Sequence, residues 1–278
     1  MRCKLRVIPI KTDIVKRPFD LFSFIDKYLS DQDLSEGDVF VIASKIVSIS
    51  QGRTINLRDV SVKEEARALG NEFGVDDRFT EIVLQEADLI LGGVPKVITT
   101  IKNGVLVAYA GADRSNVPND YAVIWPENPP LVAEAIRKHI FETKNVDVGV
   151  IISDSQVVPL RAGTYGVAIG IAGFVGMHDK RGESDLFGKG ILVTRWNIAD
   201  NLASSANLVM GETSEQTPLV LIKEAPIHLI DADPIDLTNE LSMDPAECLV
   251  FGCMQNWGVD VDQALVPQYR KRKKSDNA

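Results

Sequence analysis

At 278 residues and a net charge of −9, the chain can bury a large α/β core and is too acidic for a broad nucleic-acid surface. Apolar residues make up 45% and charged residues 25%, as in ordinary globular proteins, and no apolar run is long enough to span a bilayer. Three cysteines, Cys3, Cys248 and Cys253, have no zinc-type pairing and fit idle thiols in a reducing compartment, so a soluble, cytoplasmic protein is expected.

Leu5–Ile10 alternates like a strand, and residues 18–29 carry Phe19, Phe22, Ile25 and Leu29 at helical spacing. Asp38–Ala43 is a second strand, and the run from Ser44 to Gly52 alternates like a third. Val62–Gly70 reads as a helix, and residues 79–91 as a helix running into a strand. Asn103-Gly104 between two apolar alternations marks a hairpin. A helix is expected from Pro130 to about Phe141, and then the β-branched run from Val148 makes a buried core strand ending at Asp154-Ser155. Glycines punctuate 163–176, where they permit close packing. A helix rich in small residues is predicted from Thr194 to Met210, capped by Gly211. Leu219–Ile222 is a last core strand. Beyond residue 228 an acidic stretch leads to a terminal helix and a basic tail, Arg270–Lys274, which reads as a solvated, disordered end. Residues 1–228 are therefore taken as one domain, with two intimately packed lobes an open arrangement, and 229–278 as an extension.

Three acids fall at element ends: Asp113 after the strand that starts at Val105, Asp154 after its strand, and Glu212 after the small-residue helix. If they converge, oxygen donors of this kind suit a hard divalent cation, Mg²⁺ or Mn²⁺. The three histidines, His139, His178 and His228, are not spaced as zinc ligands. A cation of that type usually accompanies substrate phosphates, for which Arg161, Lys180 and Arg181 offer positive charge. Each acid taken singly reads equally well as a cap or turn residue. Gly182–Gly190 is one residue too long for a phosphate-binding loop, and Gly190 stands where Ser or Thr would bind Mg²⁺.

Five blocks in order give the chain a wider likeness: Ala43–Arg53, Ala110–Asn116, Val148–Ser155, Asp185–Gly188, and Asn197–Asp200 running to Met210–Glu212. Over about residues 5–228 it resembles the coenzyme F420-0:γ-glutamyl ligase family. The resemblance implies an α+β fold of mixed, largely antiparallel sheets with packed, intertwined lobes, in a homodimer with sites near the interface. It implies a GTP-dependent ligase joining L-glutamate to a carboxylate acceptor, F420-0 or a folate-like compound, with two divalent cations. Carried over by position, Asp113 and Asp154 would hold one cation, and Ser155 and Glu212 the other. Ser44, Lys45, Asn116, Met210, Gly211 and Thr213 would contact GTP. With Asp113 and Asp154, Arg161 is a candidate catalytic residue. Many members carry a lysine in the segment that here reads Ser48-Ile49-Ser50-Gln51-Gly52. That departure keeps a second reading, an inactive nucleotide-binding regulatory relative. A phosphohydrolase ranks last, since Gln156 stands where a second Asp would be needed.

Overall fold

The computed structural model describes residues 4–244 and 247–256; Cys3 and the basic run Arg270–Lys274 lie outside the described residues. Two compact units make up the chain. The first joins the segment up to Gly52 with Pro126–Leu241, and the second comprises Arg53–Trp125 with the segment from Ser242 on.

In chain order the elements are β1 (Arg6–Ile10), α1 (Leu21–Leu29), β2 (Val39–Ala43), α2 (Ser44–Ser50), β3 (Thr54–Asn56), α3 (Glu64–Phe73) and α4 (Asp77–Glu86). Then come β4 (Leu89–Val94), β5 (Val97–Lys102), β6 (Val105–Ala108), β7 (Tyr121–Val123), α5 (Pro129–Lys144), β8 (Gly149–Gln156) and β9 (Tyr165–Ala172). The last are β10 (Met177–Asp179), β11 (Arg195–Asn197), α6 (Ile198–Met210), β12 (Leu219–Lys223), α7 (Pro234–Asn239) and α8 (Leu249–Asn256).

The first unit is built on a five-stranded sheet of order β1-β12-β2-β8-β9. Only β2 and β8 run parallel, and the other neighbours are antiparallel, which is the mixed, largely antiparallel arrangement expected. Alternate side chains of the central strands bury both faces. Val39, Val41, Ile151, Val220 and Ile222 pack under Ala199, Leu202, Ala203 and Ala206 of α6. Phe40, Ile42, Val150 and Ile152 are fully buried on the opposite side, and α5 packs on β8 and β9. Residues 229–241 add α7, which packs on β9.

Strand β9 carries a bulge: Ile152 pairs with Gly170 but Ser153 pairs with Ala168, so Ile169 is the extra residue. The bulge reverses which way the strand's side chains face. A Cβ on Gly166 would lie 2.3 Å from the Ala203 carbonyl of α6, while one on Gly170 would lie 2.5 Å from Pro129 at the start of α5. Both glycines therefore serve close approach, as the sequence indicated. Gly166→Ala is expected to cost about 1–3 kcal/mol by overpacking. A denaturant midpoint equal to that of the wild type would refute the close approach of α6.

The second unit has a three-stranded sheet, β4-β5-β6, and a two-stranded ladder, β3-β7. Leu69, Phe79, Ile82, Ile90 and Ile98 anchor its own core. The β5–β6 hairpin turns at Asn103 and Gly104, both with positive φ (49° and 76°), as the Asn-Gly pair requires.

Three expectations need correction. Ser44–Ser50 is a helix rather than a strand. Ser44, Ile46, Val47, Ser48 and Ile49 are all buried, and a short apolar segment buried on most sides carries no usable period. The helix expected from Thr194 starts only at Ile198. Arg195–Asn197 pairs with β10 instead, and the Asn197 side chain caps α6 by accepting from the Asp200 amide. Finally, the strand from Val105 ends at Ala108, not at Asp113. Tyr109, Ala110 and Gly111 follow with φ of 56°, 55° and 74°. Two of these three consecutive left-handed residues carry a Cβ, at about 1–2 kcal/mol each. The third must be glycine, since a Cβ at Gly111 would strike the Trp125 ring at 2.2 Å.

Candidate active site

Strand β8 carries the two central groups. Asp154 and Ser155 lie inside the strand rather than at its end, paired with Val167 and Gly166 of β9, so their side chains leave on opposite faces.

On the face shared with Phe40 and Ile152, Asp154 meets the start of α2. The Ser44 hydroxyl donates to Asp154 Oδ1 at 2.8 Å, and Gln156 Nε2 donates to Oδ2 at 3.1 Å. Ser44 reaches this place because α2 begins directly after β2, the parallel neighbour of β8. Lys45 occupies the first turn of the same helix. Gln156, which counted against a phosphohydrolase, is buried and fixes the carboxylate.

On the other face Ser155 meets the end of α6. Its hydroxyl donates to Glu212 Oε1 at 3.1 Å, and the Thr164 hydroxyl donates to the same oxygen at 2.7 Å. Asn207 Nδ2 lies 2.9 Å from Glu212 Oε1 and 3.2 Å from Ser155 Oγ, bridging the two. Met210 and Gly211 end the helix; Gly211 has φ 72° and its amide bonds the Asn207 carbonyl. Thr213 donates to Glu215 through its amide (2.8 Å) and its hydroxyl (3.0 Å). A bond from its own backbone amide, together with those from Thr213, holds the Glu215 carboxyl below the usual carboxylate range.

Asn207 and Thr164 were not singled out in the sequence. Asn207 follows Ala199 and Ala203 at four-residue steps, so a polar residue on the small-residue stripe was the available signal. Thr164 carried none.

In the second unit, the Asp113 backbone pairs with Val123, and its carboxylate accepts from the Ser115 amide (2.8 Å) and hydroxyl (2.6 Å). Asn116 has φ 53° in the turn that follows. Of the predicted cationic groups, Arg161 lies in an exposed loop of the first unit. Lys180 pairs with Glu183 at 2.9 Å, and Arg181 is held by Asp179, which it drives well below the usual carboxylate range. The loop over Gly182–Gly190 leads into β11 rather than a helix, as its mismatch to a phosphate-binding loop implied.

Among the described residues, no three His, Cys, Asp or Glu side chains form a group that could hold a metal. The donors of the first unit still match a hard cation in type. Ser155 Oγ and Glu212 Oε1, 3.1 Å apart, stand close to the separation of neighbouring oxygens around an octahedral ion with bonds of about 2.0–2.1 Å. Substrate oxygens and water would supply the rest of such a shell.

A mixed sheet that brings carboxylate, hydroxyl and amide groups to one central strand defines an α+β enzyme with an oxygen-rich site. Residues 9–224 match the F420-0:gamma-glutamyl ligase family. The chain is 38% identical over 220 residues to the coenzyme F420:L-glutamate ligase of Methanopyrus kandleri, covering 79% of this chain and 86% of that one. It is 37% identical over 225 residues to the enzyme of the same name from Methanocaldococcus jannaschii, covering 80% and 88%. Against that of Archaeoglobus fulgidus it is 33% identical over 221 residues, covering 79% and 88%. The chain belongs to the F420-0:gamma-glutamyl ligase family and is an enzyme of that ligase class.

Proposed function

We propose that the protein joins the amine of L-glutamate to the carboxylate of F420-0 or a related folate-like acceptor, using GTP and divalent cations. Family membership supports the glutamate transfer. The observation that carries the cofactor reading is the pair of oxygen sets that β8 presents, Ser44–Asp154 on one face and Ser155–Glu212 on the other.

A carboxylate is a poor electrophile and needs activation. An oxygen of the acceptor carboxylate attacks the γ-phosphorus of GTP, GDP leaves, and an acyl phosphate results. The glutamate nitrogen then attacks the acyl carbon, phosphate departs with the C–O bonding pair, and the amine loses a proton. Mg²⁺ or Mn²⁺, held by Asp113, Asp154, Ser155 and Glu212, would neutralise triphosphate charge. The protein's own contribution is positioning. Ser44 and Gln156 fix both oxygens of Asp154, while Thr164 and Asn207 hold Glu212 against Ser155. Ser44, Lys45, Asn116, Met210, Gly211 and Thr213 are the proposed nucleotide contacts, and Arg161 a further cation for transferred phosphate. The homodimer reading draws support from the segment after β10, where Leu186, Phe187, Leu192 and Val193 are each more than four-fifths exposed. Sedimentation as a monomer at micromolar concentration would remove it.

The deciding assay follows phosphate release from GTP in the presence of L-glutamate and acceptor, with and without added Mg²⁺ or Mn²⁺. Release that requires all three, with an amide product one glutamyl unit heavier, is the expected result. Saturable nucleotide binding without turnover would favour the regulatory reading. That reading is kept because Ile49, in the segment where the family resemblance would place a lysine, is buried.

A further inference from the structure

The second unit contains a cavity of about 310 Å³ lined by Asp76, Phe79, Lys96, Tyr109, Asp113 and Arg114, among others. Its volume is at the small end of small-molecule sites, which run from about 300 to 1,000 Å³. Its charges are balanced, with two cations and two carboxylates around two rings. The Phe79 and Tyr109 ring centroids are 5.2 Å apart, and the Arg114 guanidinium lies 5.9 Å from the Phe79 centroid.

The walls are held in unusual backbone conformations. Lys96 has φ 71°. Its amide bonds the Phe73 carbonyl at 2.6 Å, and its carbonyl accepts from the Tyr109 hydroxyl. Tyr109 and Ala110 are also left-handed, and they deliver the chain to Asp113. Burial raises the Tyr109 hydroxyl's pKa above the ordinary phenol value. Strain locked in by surrounding bonds is found where geometry serves a ligand.

We propose that this cavity receives L-glutamate, its two carboxylates taken by Lys96 and Arg114 and its ammonium by Asp76, whose Oδ1 also caps the first turn of α4. The assignment rests on the ligase reading above. Two cations meet the two negative groups of this ligand and Asp76 meets its one positive group, which leaves Asp113 for the cation proposed above. Asp113, a proposed cation ligand, is part of the same wall.

Full-length Lys96→Gln and Arg114→Gln proteins test this, because both side chains are exposed and their loss leaves the core intact. Each is expected to raise the KM for L-glutamate at least tenfold, with the KM values for GTP and acceptor unchanged. Calorimetry should show the same weakening of direct L-glutamate binding. Lys96→Gly, which relieves the left-handed strain as it removes the charge, should raise the glutamate KM as Lys96→Gln does. Glutarate, which lacks the amine, should compete with glutamate in the wild type and lose affinity in both Gln variants. An unchanged glutamate KM in working variants, or a rise confined to GTP or acceptor, overturns the site while leaving the ligase reading intact. A wild-type protein that forms no glutamyl product overturns the reading and this site together.

Discussion

Asp154→Asn should lower glutamate-dependent turnover roughly 10²–10³-fold, the scale for losing one preorganised group that stabilises charge in the transition state. The substitution preserves shape and removes only the negative charge. Ser44 still finds an acceptor oxygen, while the new amide faces Gln156 Nε2, a donor at 3.1 Å in the wild type. A rotation of the Gln156 amide relieves that conflict, so the thermal midpoint should move by only a few degrees. Steady-state kinetics at saturating GTP and glutamate, together with a melting curve, check both halves. If turnover stays within twofold of wild type, Asp154 is a structural residue and the proposed cation chemistry is lost. If turnover and melting collapse together, the residue acts through folding. The predicted signature is lost rate in a folded protein.

The sequence disclosed most where one local rule decided the outcome. The run from Val148 could be read as a core strand because both faces of β8 are buried, so its apolar residues are nearly continuous. The Asn103-Gly104 hairpin was legible because positive φ at both turn residues selects that pair. The small-residue stripe of α6 pointed to close approach, and Gly166 meets the Ala203 carbonyl there. What stayed hidden depended on partners distant in sequence. Nothing local in Ser44–Ser50 separates a buried helix from a strand; its place after β2 in a parallel pair settles the matter. The left-handed turn at Tyr109 and Ala110 defies residue preference and is imposed by tertiary bonds. Of the site, Ser44, Asp154, Ser155 and Glu212 were readable as family positions. The residues that orient them, Gln156, Thr164 and Asn207, emerge only once strands and helix ends are assembled.

That difference has a physical basis. Asp154 and Ser155 are adjacent in sequence yet face opposite sides of the sheet, so separate elements must furnish their partners. α2 serves one face, and the α6 terminus with the 157–164 loop serves the other. The register of β8 against β9 therefore matters more to the site than any single loop. A slip of one residue would exchange the two faces and separate both residues from their partners.

Asp200 guards that register, and Asp200→Ala should destabilise the protein by about 2–4 kcal/mol. Its Oδ1 accepts from the Ala168 amide at 2.9 Å, beside the bulged Ile169, and its Oδ2 from Asn197 Nδ2 at 2.6 Å. β9 is the edge of its sheet, and side chains close that edge: Ser204 donates to the Gly166 carbonyl, Asp200 takes the Ala168 amide, and Thr238 takes the Ile171 amide. The step from even to odd positions between Ala168 and Ile171 is the bulge seen from outside. Truncation leaves the Ala168 N–H and the Asn197 amide without their acceptor. Burial is the largest influence on the Asp200 carboxyl and raises its pKa, against the two donors, which lower it. The folded state thus holds the proton more tightly than the unfolded chain does. Stability from this group is greatest in acid and falls as pH rises from the ordinary carboxylate range through the raised folded value. Asp200→Asn keeps an acceptor for Ala168 and abolishes this titration. Its stability relative to wild type should therefore improve as pH climbs through that window. Denaturant midpoints of the three proteins between pH 4 and 7 measure both effects. An Ala variant within about 0.5 kcal/mol of wild type, the range of ordinary surface substitutions, would show that β9 keeps its bulge without Asp200.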